Sequence, residues 1–114
     1  MTDKNNMTID FDDGEGPVQA HRHPNGGGWV ANSAMVHEQA YIEEDAKVCS
    51  FAVVGDAMIQ SDVRIGRWAT VGNNATIRMG ATVGEKAVIA YCCCVGENVV
   101  VEECETTRSH TFVE

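Results

Sequence analysis

From residue 28 onward, small and aliphatic residues recur as pairs two positions apart, and the pairs repeat every six residues. A first block runs Gly28/Val30, Ala34/Val36, Ala40/Ile42, Ala46/Val48 and Ala52/Val54. One five-residue step leads to Ala57/Ile59. The six-residue phase then resumes through Val63/Ile65, Ala69/Val71, Ala75/Ile77, Ala81/Val83, Ala87/Ile89, Cys93/Val95 and Val99/Val101. Six is a multiple of the strand period of two but not of the helical period of about 3.6, so the pattern predicts strands. Short strands that turn at this interval and keep one side inward predict a solenoid with three flat walls. Glycine follows the aliphatic slot at Gly55, Gly66, Gly72, Gly84 and Gly96, where a tight corner is expected to use its freedom in φ.

Every third hexapeptide should lie above its predecessor, so the residue just before each aliphatic slot can be assigned to a wall. The first wall should present Trp29, Lys47, Arg64, Thr82 and Val100. The second should present Met35, Val53, Thr70 and Val88, and the third Tyr41, Met58, Thr76 and Cys94. The second wall carries no charge at these positions, and the corner leading into it carries Phe51 and Trp68, one coil apart. A β-wall facing water would normally show charged residues there. Burial between subunits is therefore expected, with Met35, Phe51, Val53, Trp68, Thr70 and Val88 at the interface. Closed cyclic symmetry would cover the same patch on every copy.

Stretches such as "AYIEEDAKV" and "ATIRMGATVGEKAVI" resemble the hexapeptide-repeat superfamily, the left-handed parallel β-helix. The resemblance covers residues 28 to 101 and implies an all-β fold of about four coils. It also implies threefold trimers, which are common in that superfamily. The stretch "HRHPNGGGWVANSA" is similar to the opening of short hexapeptide proteins encoded by phages and prophages.

Residues 1 to 27 lack the period. They are acidic and Gly-rich, broken by Pro17 and Pro24, and read as a flexible arm that orders on a partner. Ile9 and Phe11 could fill an apolar slot on that partner, and Asp12 and Asp13 could meet a basic patch. Residues 102 to 114 also lose the phase, with Glu105 and Thr107 in the next slots, and read as a C-terminal cap or tail.

The formal net charge is −9, so nucleic acid or an anionic membrane would repel this surface. No apolar run approaches a membrane span, and the N-terminus lacks the basic-then-apolar order of a signal peptide. Synthesis in the cytoplasm follows as an expectation. Aromatic residues make up 6% of the chain, so the core should consist of Ala, Val and Ile. A core that thin favours oligomerisation.

The residues able to do chemistry are few. Acyltransferases of the resembled superfamily use a His at the cleft between subunits as a base. Here only His37 sits on a coil, while His21 and His23 fall in the arm and His110 in the tail. No insertion interrupts the repeats to build donor and acceptor pockets. The carbonic anhydrases of that superfamily hold metal with three His, two of them on one stretch of coil. Residues 48 to 101 contain no His, so neither a metal nor a cofactor is expected. His21 and His23, at alternate positions, are too few for a firm metal site. Among five Cys, Cys93 takes an inward slot. Cys92, Cys94 and Cys104 are candidates for a disulfide between subunits if their geometry allows it.

Taken together these features lead to a non-enzymatic, homotrimeric β-helix that decorates or cements a phage capsid, bound to the major capsid protein or another virion protein through its arm. It would be assembled in the host cytoplasm and reside in the virion. The alternatives are a small acyltransferase-like enzyme with His37 as base, a tail or baseplate component, and a free-standing scaffold.

Overall fold

The computed structural model describes residues 6–11 and 16–114. Among them every regular element is a strand, and from Trp29 onward the strands stack in parallel as a solenoid of about five turns. The first wall stacks Trp29–Ala31, Lys47–Val48, Arg64–Ile65, Thr82–Val83 and Val100–Val101. The second stacks Met35–Val36, Val53–Val54, Thr70–Val71 and Val88–Ile89, extended by a parallel bridge from Val88 to Thr106. The third stacks Tyr41–Ile42, Met58–Ile59, Thr76–Ile77, Cys94–Val95 and Phe112–Val113. Each outward column is the one the six-residue phase predicts.

The inward slots close on one another along the axis. Ile42, Ile59, Ile65, Ile77 and Ile89 are fully buried; Ala fills the small slot beside each of them except Ile65, where Val63 takes it. Ala is small enough to let the chain bend toward the next wall, and Val and Ile suit an extended backbone. Burial of each aliphatic side chain contributes about 1.5–3 kcal/mol, repeated coil after coil.

The corners depart from expectation in one respect. The glycines at 55, 66, 72, 84 and 96 do not have positive φ; after all of them but Gly55, at the shortened corner, that conformation falls two residues further on, at Trp68, Asn74, Lys86 and Asn98. From Asp62 to His110 every sixth residue is left-handed, with φ between 58° and 78°. Ala69 N–H donates to Gly66 O at 3.2 Å and Ala87 N–H to Gly84 O at 3.2 Å, closing turns whose third residue takes the positive φ, as in type II turns. The glycine at the first turn position is required by space instead. A Cβ on Gly72 would sit 2.6 Å from Tyr91 N, and one on Gly84 2.6 Å from Glu103 N. Its role is to let the coil above approach.

The five-residue step shortens one corner to Gly55 and Asp56. Beyond it Ala57 and Ile59 point inward and Met58 outward, so the phase recovers at once. In the coil above, Asn73 Oδ1 accepts a hydrogen bond from Asp56 N–H at 2.9 Å and occupies the space over Gly55. A side chain thus fills the place of the missing residue.

Both chain ends are more structured than their lack of period suggests. β1 (Asn6–Asp10) and β2 (Pro17–Arg22) form an antiparallel hairpin, and β2 pairs with Trp29–Ala31 at the start of the first wall. The expected free arm is corrected for these residues: the wall's open edge offers unpaired backbone groups, and β2 satisfies them. Phe11 is 1% exposed and packs with Ala20, Ala31 and Cys49. At the other end, Val88 N–H donates to Glu105 O and Thr107 N–H to Val88 O, so residues 102 to 114 continue the solenoid. Glu105 turns its carboxylate back onto Glu102 N–H at 2.8 Å, which is how a long acid replaces a small residue there.

Candidate functional site

The second wall presents Met35 at 70% exposure, Val53 at 43% and Val88 at 37%, with Thr70 half-buried between them. At its leading corner Phe51 and Trp68 stack face to face, with ring centroids 4.4 Å apart and planes 11° from parallel. Both rings are exposed, and both residues occupy left-handed turn positions, φ 63° and 64°. Glycine or asparagine is favoured in that conformation, and a bulky side chain there costs on the order of 1–3 kcal/mol. Phe51 N–H is held by Ser33 Oγ at 3.2 Å and Trp68 N–H by Ser50 O at 3.2 Å. The sequence places all six predicted interface residues on this one surface, and the structure brings them together.

The third wall is likewise uncharged along its outward column: Tyr41, Met58, Thr76, Cys94 and Phe112. Phe112 could be assigned to it only once the tail was known to be a coil. The first wall differs, with Arg22, Trp29, Lys47 and Arg64 on consecutive rungs.

A cleft of about 510 Å³ opens where the hairpin meets the base of the second wall, lined by His21, His23, Val30, Ala34, Met35, Val36, His37, Val53, Val54 and Gly55. Sequence reasoning scattered its three imidazoles between arm and coil; the antiparallel return of β2 brings them together. His23 is 4% exposed, and its Nε2–H donates to Ala40 O at 2.8 Å, tying the hairpin turn to the first coil. Burial holds its pKa below the usual imidazole value, and proximity of His21 adds to this, against the opposing effects of the Ala40 and Glu38 backbone groups. His21 Nδ1 donates to Asn32 Oδ1 at 2.6 Å, and His37 Nδ1 accepts from Gln39 N–H at 3.1 Å. Each imidazole therefore has one nitrogen engaged by the protein. Among the described residues no group of three or more His, Cys, Asp or Glu is arranged to hold a metal ion.

The remaining predicted residues are dispersed. Cys92 lies at the corner between the second and third walls, Cys94 on the third wall, and Cys104 at the corner into the second wall above Trp68 and Lys86. All five cysteines are free thiols within the chain. Ile9 is half-buried opposite Val18. Phe11 is enclosed by its own chain, which corrects its assignment as an exposed anchor for a partner. Asp12 and Asp13 lie outside the described residues. The chain matches no protein-family model, no curated protein and no solved structure.

Proposed function

We propose that the protein is a non-catalytic structural protein of the left-handed hexapeptide-repeat type, forming a homotrimer that decorates or cements a phage capsid. The observation that carries the trimer is the exposed Phe51–Trp68 stack, held in costly left-handed turns beside an uncharged wall. Rings that water would have to cover gain nothing from such placement; rings that meet another subunit do. A closed ring is built from heterologous contacts, in which one patch meets a different patch on the next copy. The second wall with its aromatic corner and the uncharged third wall supply two such patches. Cys104 and Cys94 then fall on opposite sides of the same contact, and the charged first wall remains outside.

The capsid setting is supported by the phage-like opening stretch "HRHPNGGGWV" and by the acidic residues from Asp10 to Glu15, a suitable contact for a basic patch on a shell. Native mass spectrometry should find a species of about 37 kDa, three times the 12.3 kDa chain. Virions purified from a host carrying the gene should contain the chain as a stoichiometric component. A monomer at working concentration would overturn the trimer, and virions without the chain would overturn the setting.

The cleft favours a second function, a small acyltransferase-like enzyme in which His37 serves as base. Turnover of an acyl-coenzyme donor that His37→Ala abolishes would establish it in place of the structural role.

A further inference from the structure

The first wall carries a charge pattern at odds with the rest of the molecule. The chain has eight basic residues against seventeen acidic ones, yet Arg22, Trp29, Lys47 and Arg64 face the same way on four successive rungs. Rungs lie roughly 4.8 Å apart, and like charges directly opposite across a sheet repel. Arg22 is already engaged: it donates to Gly27 O at 2.8 Å and Glu44 O at 3.3 Å and lies 4.3 Å over the Trp29 ring. Lys47 and Arg64 are not. Neither has an ion pair among the described residues, although Glu44, Asp45 and Asp62 stand at the adjoining corners, and the Nη2 of Arg64 is buried without an acceptor. A guanidinium nitrogen left that way is costly, and a rotamer step that lifts it onto an arriving carboxylate would relieve both the lost hydrogen bond and the Lys47–Arg64 repulsion.

From this we propose that the strip Trp29–Lys47–Arg64 docks an extended acidic peptide segment of a partner protein. The strip is flat and spans roughly 10 Å over two rung spacings, which suits a ligand lying along the surface. Alternate side chains of an extended peptide are roughly 6.8 Å apart, close enough for carboxylates at i and i+2 to meet Lys47 and Arg64. An apolar side chain at i−2 then rests on the Trp29 ring, which Arg22 holds in place. Nucleic acid is disfavoured, because two unpaired cations flanked by corner carboxylates cannot neutralise a phosphate backbone. The strip lies off the surface proposed for subunit contact, so it stands whether or not the trimer does.

The test is calorimetric titration of the full chain with a synthetic peptide Phe-Ser-Glu-Ser-Glu-Ser, blocked at both ends. The glutamine counterpart of that peptide, inorganic phosphate and a single-stranded oligonucleotide serve as comparisons. The acidic peptide should bind and weaken as salt rises. Its affinity should fall about tenfold or more, the loss of a charge-assisted contact, in the Lys47→Gln/Arg64→Gln variant. That variant should keep the wild-type circular dichroism spectrum and should melt no lower, since the repulsion is gone. Equal binding to the variant, equal binding of the glutamine peptide, or no binding of the acidic peptide would overturn the proposal. Phosphate as good a ligand as the peptide would reduce the strip to an adventitious anion site, and tighter binding of the oligonucleotide would assign it to nucleic acid instead.

Discussion

At the scale of single residues, two positions make the physics of this fold measurable. Gly72 lies 2.6 Å, through a hypothetical Cβ, from backbone of the next coil. Gly72→Ala should therefore force two coils apart and cost about 1–3 kcal/mol, as overpacking typically does; thermal melting followed by circular dichroism would register it as a lower midpoint. His23 sets a pH dependence. Above its ordinary pKa of 6.5 the imidazole is neutral both in the folded chain and in the unfolded one, and the full stability is present. As pH falls below 6.5 the unfolded imidazole takes up a proton that the buried one resists, so stability is lost progressively until pH passes the lowered folded value. His23→Gln, which keeps a donor for Ala40 O, should flatten the His23 contribution to that slope. An unaltered slope in denaturant titrations from pH 7 to pH 5 would show that the latch does not titrate as burial requires.

At the scale of elements, the hairpin is the piece whose importance the structure changes most. Phe11→Ala should cost about 3–5 kcal/mol, in the range of buried aromatic truncations. Removing residues 1–22 should expose the edge of Trp29–Ala31 and cause strand-to-strand association, visible as aggregates in size-exclusion chromatography. The walls and their registers were legible in the sequence because each inward slot is filled by a neighbour eighteen residues away, or seventeen across the short corner, so one local rule repeats. The hairpin was not legible, because the Asn6–His21 and Ala20–Ala31 pairings follow no period, and short acidic, Gly-rich stretches read as arms. The tail was hidden for a similar reason. Glu105 and Thr107 break the small/aliphatic rule, and only their stacking on Val88 and Glu102 shows that they complete a coil. The histidine cleft depends on the hairpin, so it was beyond reach from the same cause. Glycine's role at the corners was misassigned because space and φ both select for glycine, and the sequence does not distinguish them.

At the scale of the whole molecule, two uncharged walls and one charged wall define how copies should meet. If the second wall of one copy packs on the third wall of the next, Cys104 and Cys94 of neighbouring copies come close enough for a disulfide under oxidation, within the usual Cα separation of about 4.4–6.8 Å. Mild oxidation should give a covalent ladder on non-reducing gels that Cys94→Ser or Cys104→Ser abolishes; a ladder surviving both changes would contradict that pairing of walls. The most direct test of the account is sedimentation velocity on Val53→Lys beside Thr82→Lys. Both place a lysine on an outward rung, one at the centre of the second wall and the other on the first. The account predicts that Thr82→Lys sediments as a trimer like the wild type, while Val53→Lys sediments as a folded monomer or fails to fold. A Val53→Lys protein that remained a trimer with an unchanged melting temperature would contradict it.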